Sequence, residues 1–328
     1  MSPSSTTVGD ARPSFQNGGR AQSFAKRLRA GDEIAYTLTF LCAFAVILVT
    51  GLLVFELYGH SALTRQKFGW SFLVTSTWDP VQGQFGALPF IYGTAATSTL
   101  AMIISIPLGV GAAIFLAELA PPGISSGLTF LIELLAAVPS VIIGLLGVFV
   151  MIPILRTIEP GLRAVLGWTH LFDGPFYGVS IFAAGVVLSI MILPFIISIS
   201  REVILAVPND QREGALALGA TRWESTWDVV VPFARKGIAG SIFLALARSL
   251  GETMAVTMVV GNDPKIGHSL FAPGYSIAAV IANEFTEATG DLYQSALIEL
   301  GLVLFGVTIV INAAARLLVL TTTKKGMS

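Results

Sequence analysis

Six stretches of this chain are long and apolar enough to cross a bilayer, near residues 34–58, 88–117, 126–155, 177–200, 237–261 and 292–320. A helix rising 1.5 Å per residue needs about 20 such residues to cross about 30 Å of hydrocarbon. Backbone that faces lipid must satisfy its own hydrogen bonds, so these segments are expected to be helices. The expected fold class is an all-α polytopic membrane protein with six transmembrane helices. Composition agrees. Only 12% of the 328 residues are charged and 54% are hydrophobic, whereas soluble domains carry about 25% charge.

The same composition excludes several chemistries. The one cysteine, Cys42, forbids an intrachain disulfide and any cysteine-rich metal centre. Its place in an apolar run predicts a small buried hydrophobe. The three histidines, His60, His170 and His268, fall in polar connections and form no HExxH motif. None of the six lysines follows a glycine, so the chain has no phosphate-binding GK[ST] loop and no ATPase site of its own. A net charge of −1 gives no reason to expect a nucleic-acid partner. No metal or cofactor is expected.

Residues 1–30 are rich in Ser, Gly, Arg and Gln and lack hydrophobic periodicity, which predicts a disordered tail. The first apolar run, from Ile34, is too long for a secretory signal and reads as a retained membrane helix. Pro107, Pro139 and Pro153 predict kinks in the second and third spans. Basic residues set the orientation. With the N-terminus in the cytoplasm, thirteen of the 19 lie inside and five outside, and Arg248 lies within a span. Both termini are then cytoplasmic. The outer loops fall near 59–87, 156–176 and 262–291, and the inner loops near 118–125 and 201–236.

The long inner loop carries helix punctuation. Pro208 ends the fourth span, and Asp210 stands three residues before Glu213, the spacing of an N-cap. Gly219 fits a helix C-terminus. Thr221-Arg222-Trp223-Glu224 has the pattern of a capping box. Two short helices separated by Gly219 are expected.

Glu213-Gly214-Ala215, three residues, Gly219, nine residues and Val229-Val230-Val231-Pro232 together resemble the cytoplasmic motif of ABC importer permeases, EAA-x3-G-x9-IxLP. The departures are Gly214 for Ala, Val229 for Ile and Val231 for Leu. The resemblance implies the type I importer permease fold, with this loop as a coupling helix that docks on an ATPase. Locally, Glu213 and Gly219 also read simply as helix punctuation. Further stretches resemble the PstC-type permeases of phosphate importers over roughly residues 34–320. They include Phe85-Gly86-Ala87-Leu88-Pro89, Glu133-Leu134-Leu135-Ala136-Ala137-Val138-Pro139-Ser140 and Ala247 through Thr257. On this resemblance the domains are a tail over 1–30, a first helix and outer loop over 31–87, an ABC type I transmembrane domain over 88–320 and a cytoplasmic tail over 321–328. The implied partners are a PstA-like permease, a PstB-like ATPase dimer that binds ATP-Mg, and a PstS-like binding protein that delivers inorganic phosphate at the bacterial inner membrane.

Arg248 lies near the middle of the fifth span, where a bare arginine costs about 2.5–3.5 kcal/mol on insertion scales. On a continuous helix Glu252, at i+4, shares its face, and Ser249, Thr253 and Thr257 extend a polar stripe. The guanidinium fork matches phosphate oxygens. The expectation is that Arg248 contacts the anion and Glu252 holds it in position. A structural ion pair locking two helices is the alternative. Glu118 reads as interfacial, Glu284 and Glu287 as solvated loop charges, and Arg65, Lys67, Arg156 and Arg163 as residues that could meet a binding protein. An importer of another oxyanion, and less readily a secondary carrier, remain alternatives.

Overall fold

The computed structural model describes residues 32–325, with side-chain environments for 35–317. The tail expected over 1–30 lies outside the described residues. The chain divides into two units, residues 1–56 and 57–328. The described part of the first unit is helical, within α1 (Asp32–His60). Its described side chains are exposed almost throughout, as an all-apolar helix in lipid would be. Cys42 is exposed with them, which corrects the expectation of a buried filler. Composition marks a residue as apolar but does not say whether protein or lipid surrounds it.

In the second unit, α2 (Ala62–Phe68) and α3 (Ser71–Val74) lead to α4 (Leu88–Ile114), which runs on as a π-helical turn over Phe115–Leu119. Pro107 lies inside α4 without interrupting it. The third apolar segment is not one kinked helix, as expected, but two. Here α5 (Pro122–Ala136) ends before Pro139, and α6 (Ser140–Leu146) begins after it. A residue before proline is pushed out of the helical region, so Val138 stops the helix instead of bending it. A π turn over Gly147–Met151 joins α6 to α7 (Ile152–Leu166), so much of the expected outer loop 156–176 is helical. The fourth span, α8 (Ile181–Leu205), starts where the Ser180 side chain accepts the Ala183 amide at 3.1 Å.

The connection that follows holds α9 (Asn209–Ala217), α10 (Arg222–Ser225) and a π turn over Thr226–Val230. The fifth segment also differs from expectation. Its helix α11 (Val231–Leu250) stops short, residues 251–253 are not helical, and α12 (Met254–Val259) is a separate short piece. Then α13 (Ile277–Glu284) precedes the last span, α14 (Asp291–Lys325). Among the described residues, six helices are long and apolar enough to cross a membrane. Among the described residues no strand is formed, only two isolated bridges, Asp79 with Gln84 and Gly261 with Gly274.

The central pair is α4 against α8. Two glycines let these backbones approach. A Cβ on Gly109 would stand 2.7 Å from Ile196 Cγ2, and one on Gly185 would meet Leu100. Helices in lipid gain little from hydrophobic transfer, so close van der Waals approach of this kind holds them. Three buried clusters stack along the pair. Phe90 belongs to the first, Ala101, Met102, Val187 and Leu188 to the second, and Ile114, Leu116, Ile197 and Ile204 to the third.

The first cluster closes one end with aromatics. Trp78 lies 4.8 Å, centroid to centroid, from both Phe85 and Phe90 in edge-on contacts. Such pairs add about 0.5–1.5 kcal/mol each. Glu284 binds this cap together, accepting from Trp78 Nε1 at 2.9 Å and from Tyr293 Oη at 2.6 Å. Glu284 is therefore no freely solvated loop charge, as sequence suggested. Burial, with the Glu284 and Glu287 carboxylates adding, pushes the Tyr275 phenol up to about 12, and Asn283 donates to it.

Candidate functional site

Two features stand out, one at the end opposite the aromatic cap and one within the fifth segment.

The first is the connection over residues 208–232. Pro208 presets the turn into α9, and Asp210 lies in the first turn rather than at the cap, which corrects the expected N-cap. The proline itself occupies that position, at φ −58 and ψ 138. Gly219 adopts φ +92, a left-handed conformation that glycine takes without strain. The Gly219 amide donates to Leu216 O at 3.0 Å and the Ala220 amide to Ala215 O at 3.2 Å, closing the helix end. The capping box forms as read. The Glu224 amide donates to Thr221 Oγ1 at 3.3 Å, and the Thr221 amide to Glu224 Oε2 at 2.7 Å.

No residue of α9 is buried. Glu213 and Gly214 are exposed, Ala215 is half-buried, and Leu218 at the tip is 92% exposed. Trp223 and Trp227 are exposed beside it, edge-on at 5.5 Å. Large apolar side chains held out on a capped, rigid turn mark a contact surface. Val231 and Pro232 continue the helix directly from the π turn over Thr226–Val230.

Sequence reasoning missed the polar anchor of this element. Arg212 of α9 reaches Glu118 on the π turn that ends α4. Its Nε lies 3.1 and 3.3 Å from the two carboxylate oxygens, and its Nη2 lies 2.7 Å from one of them. The same guanidinium donates to Ile204 O at 2.8 Å, to Val207 O and to Asn209 Oδ1 at 3.3 Å. The available signal was the scarcity of charge, since two opposite charges at the ends of apolar spans seldom stay unpaired.

The second feature is the break at 251–253. Arg248, in the last turn of α11, is exposed, and its guanidinium carbon lies 4.4 Å from the centre of the Phe195 ring. A cation over an aromatic face at this distance is attracted to it. The expected pairing with Glu252 is not formed. No ion pair joins them, because the helix ends between them and the i+4 relation lapses. Nor is the polar stripe continuous. Ser249 is buried and donates to Leu246 O at 2.8 Å, Thr253 Oγ1 donates to Gly251 O at 3.3 Å, and Thr257 Oγ1 donates to Thr253 O at 2.7 Å. Arg248 is left facing outward from this chain, and Glu252 and Thr253 are half-buried at the break.

Arg65, read as free to meet a partner, instead pairs with buried Glu299 at 3.2 Å and lies 3.7 Å over the Tyr58 ring. Arg156 donates to Tyr177 O at 2.8 Å. Among the described residues no group of three or more His, Cys, Asp or Glu could hold a metal ion.

Comparison with known proteins identifies the family. Residues 105–323 match the family described as binding-protein-dependent transport system inner membrane component. The phosphate transport system permease protein PstC of Mesorhizobium japonicum is 46% identical over 89% of this chain and 90% of its own length. The same-named protein of Pasteurella multocida is 45% identical over 88% and 91%. A probable phosphate transport system permease protein PstC of Methanocaldococcus jannaschii is 35% identical over 89% and 95%. Among solved structures, a chain of a bacterial alginate ABC transporter in complex with its periplasmic protein superposes with a TM-score of 0.59 at 17% identity, covering 91% of this chain and 99% of that one. That likeness bears on the fold alone.

Proposed function

We infer the function of this chain from its kinship, for it belongs to the binding-protein-dependent transport inner membrane components and, among them, to the PstC phosphate permeases. It is the permease subunit of an ATP-driven inorganic phosphate importer. The observation that carries the phosphate assignment is the near-full-length identity, 45–46%, to relatives of that name. Two features of the geometry support a division of labour within such a subunit.

The first part is a place for an ATPase to push. We assign this to the turn of α9 and α10, with Glu213, Gly214, Ala215 and Gly219 on the docking side and Val231 and Pro232 where it re-enters the membrane. The exposed Leu218, Trp223 and Trp227 support it. The second part is a place for an anion to pass. We assign this to the break after Leu250, where Arg248, Glu252 and Thr253 lie on an incomplete surface. Ser249 and Thr257 support the local backbone from within.

Full assembly on this reading takes a homologous PstA-like permease to complete the pathway, two PstB-like ATPases that carry the ATP-Mg and a PstS-like binding protein outside. Both termini lie in the cytoplasm of a bacterial cell. ATP binding closes the ATPase pair, the coupling turns move, and the spans exchange inward- for outward-facing access, a shift between two states that nucleotide binds unequally.

Uptake of radiolabelled phosphate into proteoliposomes containing this chain and its candidate partners tests the assignment. The expected result is uptake that needs every partner and ATP and that competes with arsenate but not sulfate. Competition by sulfate or molybdate would move the substrate to another oxyanion. Uptake without the ATPase would make the chain a secondary carrier.

A further inference from the structure

The coupling turn is tied to the membrane helices by one side chain. A guanidinium has five N–H donors. In Arg212 the Nε donor and one Nη2 donor go to Glu118, the other Nη2 donor to Ile204 O, and the two Nη1 donors to Val207 O and Asn209 Oδ1. The partners belong to three chain segments: the end of the first core span, the end of α8 and the turn into α9. The pair is largely withdrawn from water, with the Arg212 and Glu118 side chains 17% and 12% exposed. Charge-assisted hydrogen bonds of this two-pronged form fix direction as well as distance.

The surroundings place the tie between two irregular helix turns. Glu118 sits on the π turn Phe115–Leu119, and the far side of the coupling turn enters α11 through a second π turn, Thr226–Val230, which packs against α9. π turns are weak points in a helical ladder. Directly behind them lies the buried cluster of Ile114, Leu116, Ile204, Val207, Val230 and Ala234. A side chain that served only to cap α8 would need the Ile204 and Val207 carbonyls alone. The two contacts to Glu118, 94 residues away in sequence, are surplus to capping and bind α9 to a different helix.

We propose that Arg212 and Glu118 form a strut that transmits displacement of the coupling turn to the span Leu88–Leu119. They act as positioning residues for transport rather than as contacts for substrate or nucleotide. The proposal rests on the permease reading above and names the link by which that permease would be driven. Lysine cannot replace Arg212, because an ammonium offers three donors and no planar fork.

The test uses the assembled transporter in proteoliposomes, with Glu118→Gln, Arg212→Lys and the exchanged pair Glu118→Arg with Arg212→Glu. ATP hydrolysed per phosphate imported is the first readout, taken only on complexes that retain their ATPase on purification. The second is the distance between spin labels at Leu119→Cys and at Gln211→Cys, an exposed position on α9 outside the docking side, in a Cys42→Ser background, with and without trapped ATP. Unaltered, the strut keeps this distance the same in both states. The single variants raise the ATP-to-phosphate ratio at least about fivefold, the lower end of typical coupling effects, and make the distance nucleotide-dependent. The exchanged pair restores part of both. A normal ratio in either single variant overturns the proposal, whatever the labels report. If the unaltered complex hydrolyses ATP but imports no phosphate, the phosphate reading falls. The distance measurement then decides the strut alone, and an unchanged distance in the single variants refutes it.

Discussion

Arg212 and Arg248 are the same residue in opposite circumstances. Arg212 spends all five donors inside the chain, on a carboxylate, three carbonyl or amide oxygens and three different segments. Arg248 has one aromatic ring beneath it and is otherwise exposed, in the last turn of the candidate membrane helix Arg222–Leu250 rather than near the middle of the span, as sequence suggested. An intramembrane cation that the fold leaves unsatisfied costs insertion energy that a satisfied one does not. On the proposed function, the contrast reads as satisfaction within the chain for a mechanical part, and its lack for a part that something outside the chain completes.

The contrast can be broken first at Arg248. Replacing it by Gln is expected to lower phosphate import about tenfold to a hundredfold, the loss of one or two hydrogen bonds to a charged group. ATPase association should be retained on co-purification. Import equal to the parent would make Arg248 a structural residue and erase the distinction. Next comes Gly219→Val. A β-branched residue at φ +92 costs about 1–2 kcal/mol, and the tip carrying Leu218 shifts. Pull-down of the ATPase should weaken several-fold while membrane insertion is unaffected.

The aromatic cap at the other end sharpens the comparison, because it is satisfied like Arg212 but remote from the coupling turn. Glu284→Ala strands the Trp78 and Tyr293 donors, an expected loss of about 1–3 kcal/mol. Thermal unfolding in detergent should register it, with no change in ATP used per phosphate. A changed ratio would show that the cap, too, is mechanical. Thr221→Ala removes the capping box at about 1 kcal/mol, visible as faster amide exchange over 222–225. The smallest effect is at Tyr275. Its folded-state phenol is raised to about 12, so its stabilising contribution is complete below pH 10 and is lost as pH climbs through 12. Alkaline unfolding should lose that component in Tyr275→Phe.

The sequence made some of this legible and hid the rest for physical reasons. The coupling turn could be read in detail because it is exposed, and its punctuation is local. Gly219 and the Thr221–Glu224 box act within four residues. The spans could be counted because hydropathy sums over twenty residues. That same summing hid the breaks at 137–139 and 251–253, since a few residues without helical hydrogen bonds scarcely alter the mean. The Arg248–Glu252 pairing failed because it assumed the helix that the second break interrupts. Arg212 with Glu118, Arg65 with Glu299 and Glu284 with Trp78 were illegible because each joins residues more than ninety positions apart.

The helix from Leu88 to Leu119 has 32 residues, which makes it about 48 Å long at the usual rise. Hydrocarbon is about 30 Å thick. A span longer than the hydrocarbon is accommodated by tilting, kinking or local thickening of the bilayer, and a tilt so set changes with bilayer thickness. Glu118 rides at the far end of this helix, so a change of tilt moves the carboxylate that Arg212 grips. The acyl-chain length of the surrounding membrane thereby becomes a setting on how the coupling turn is held.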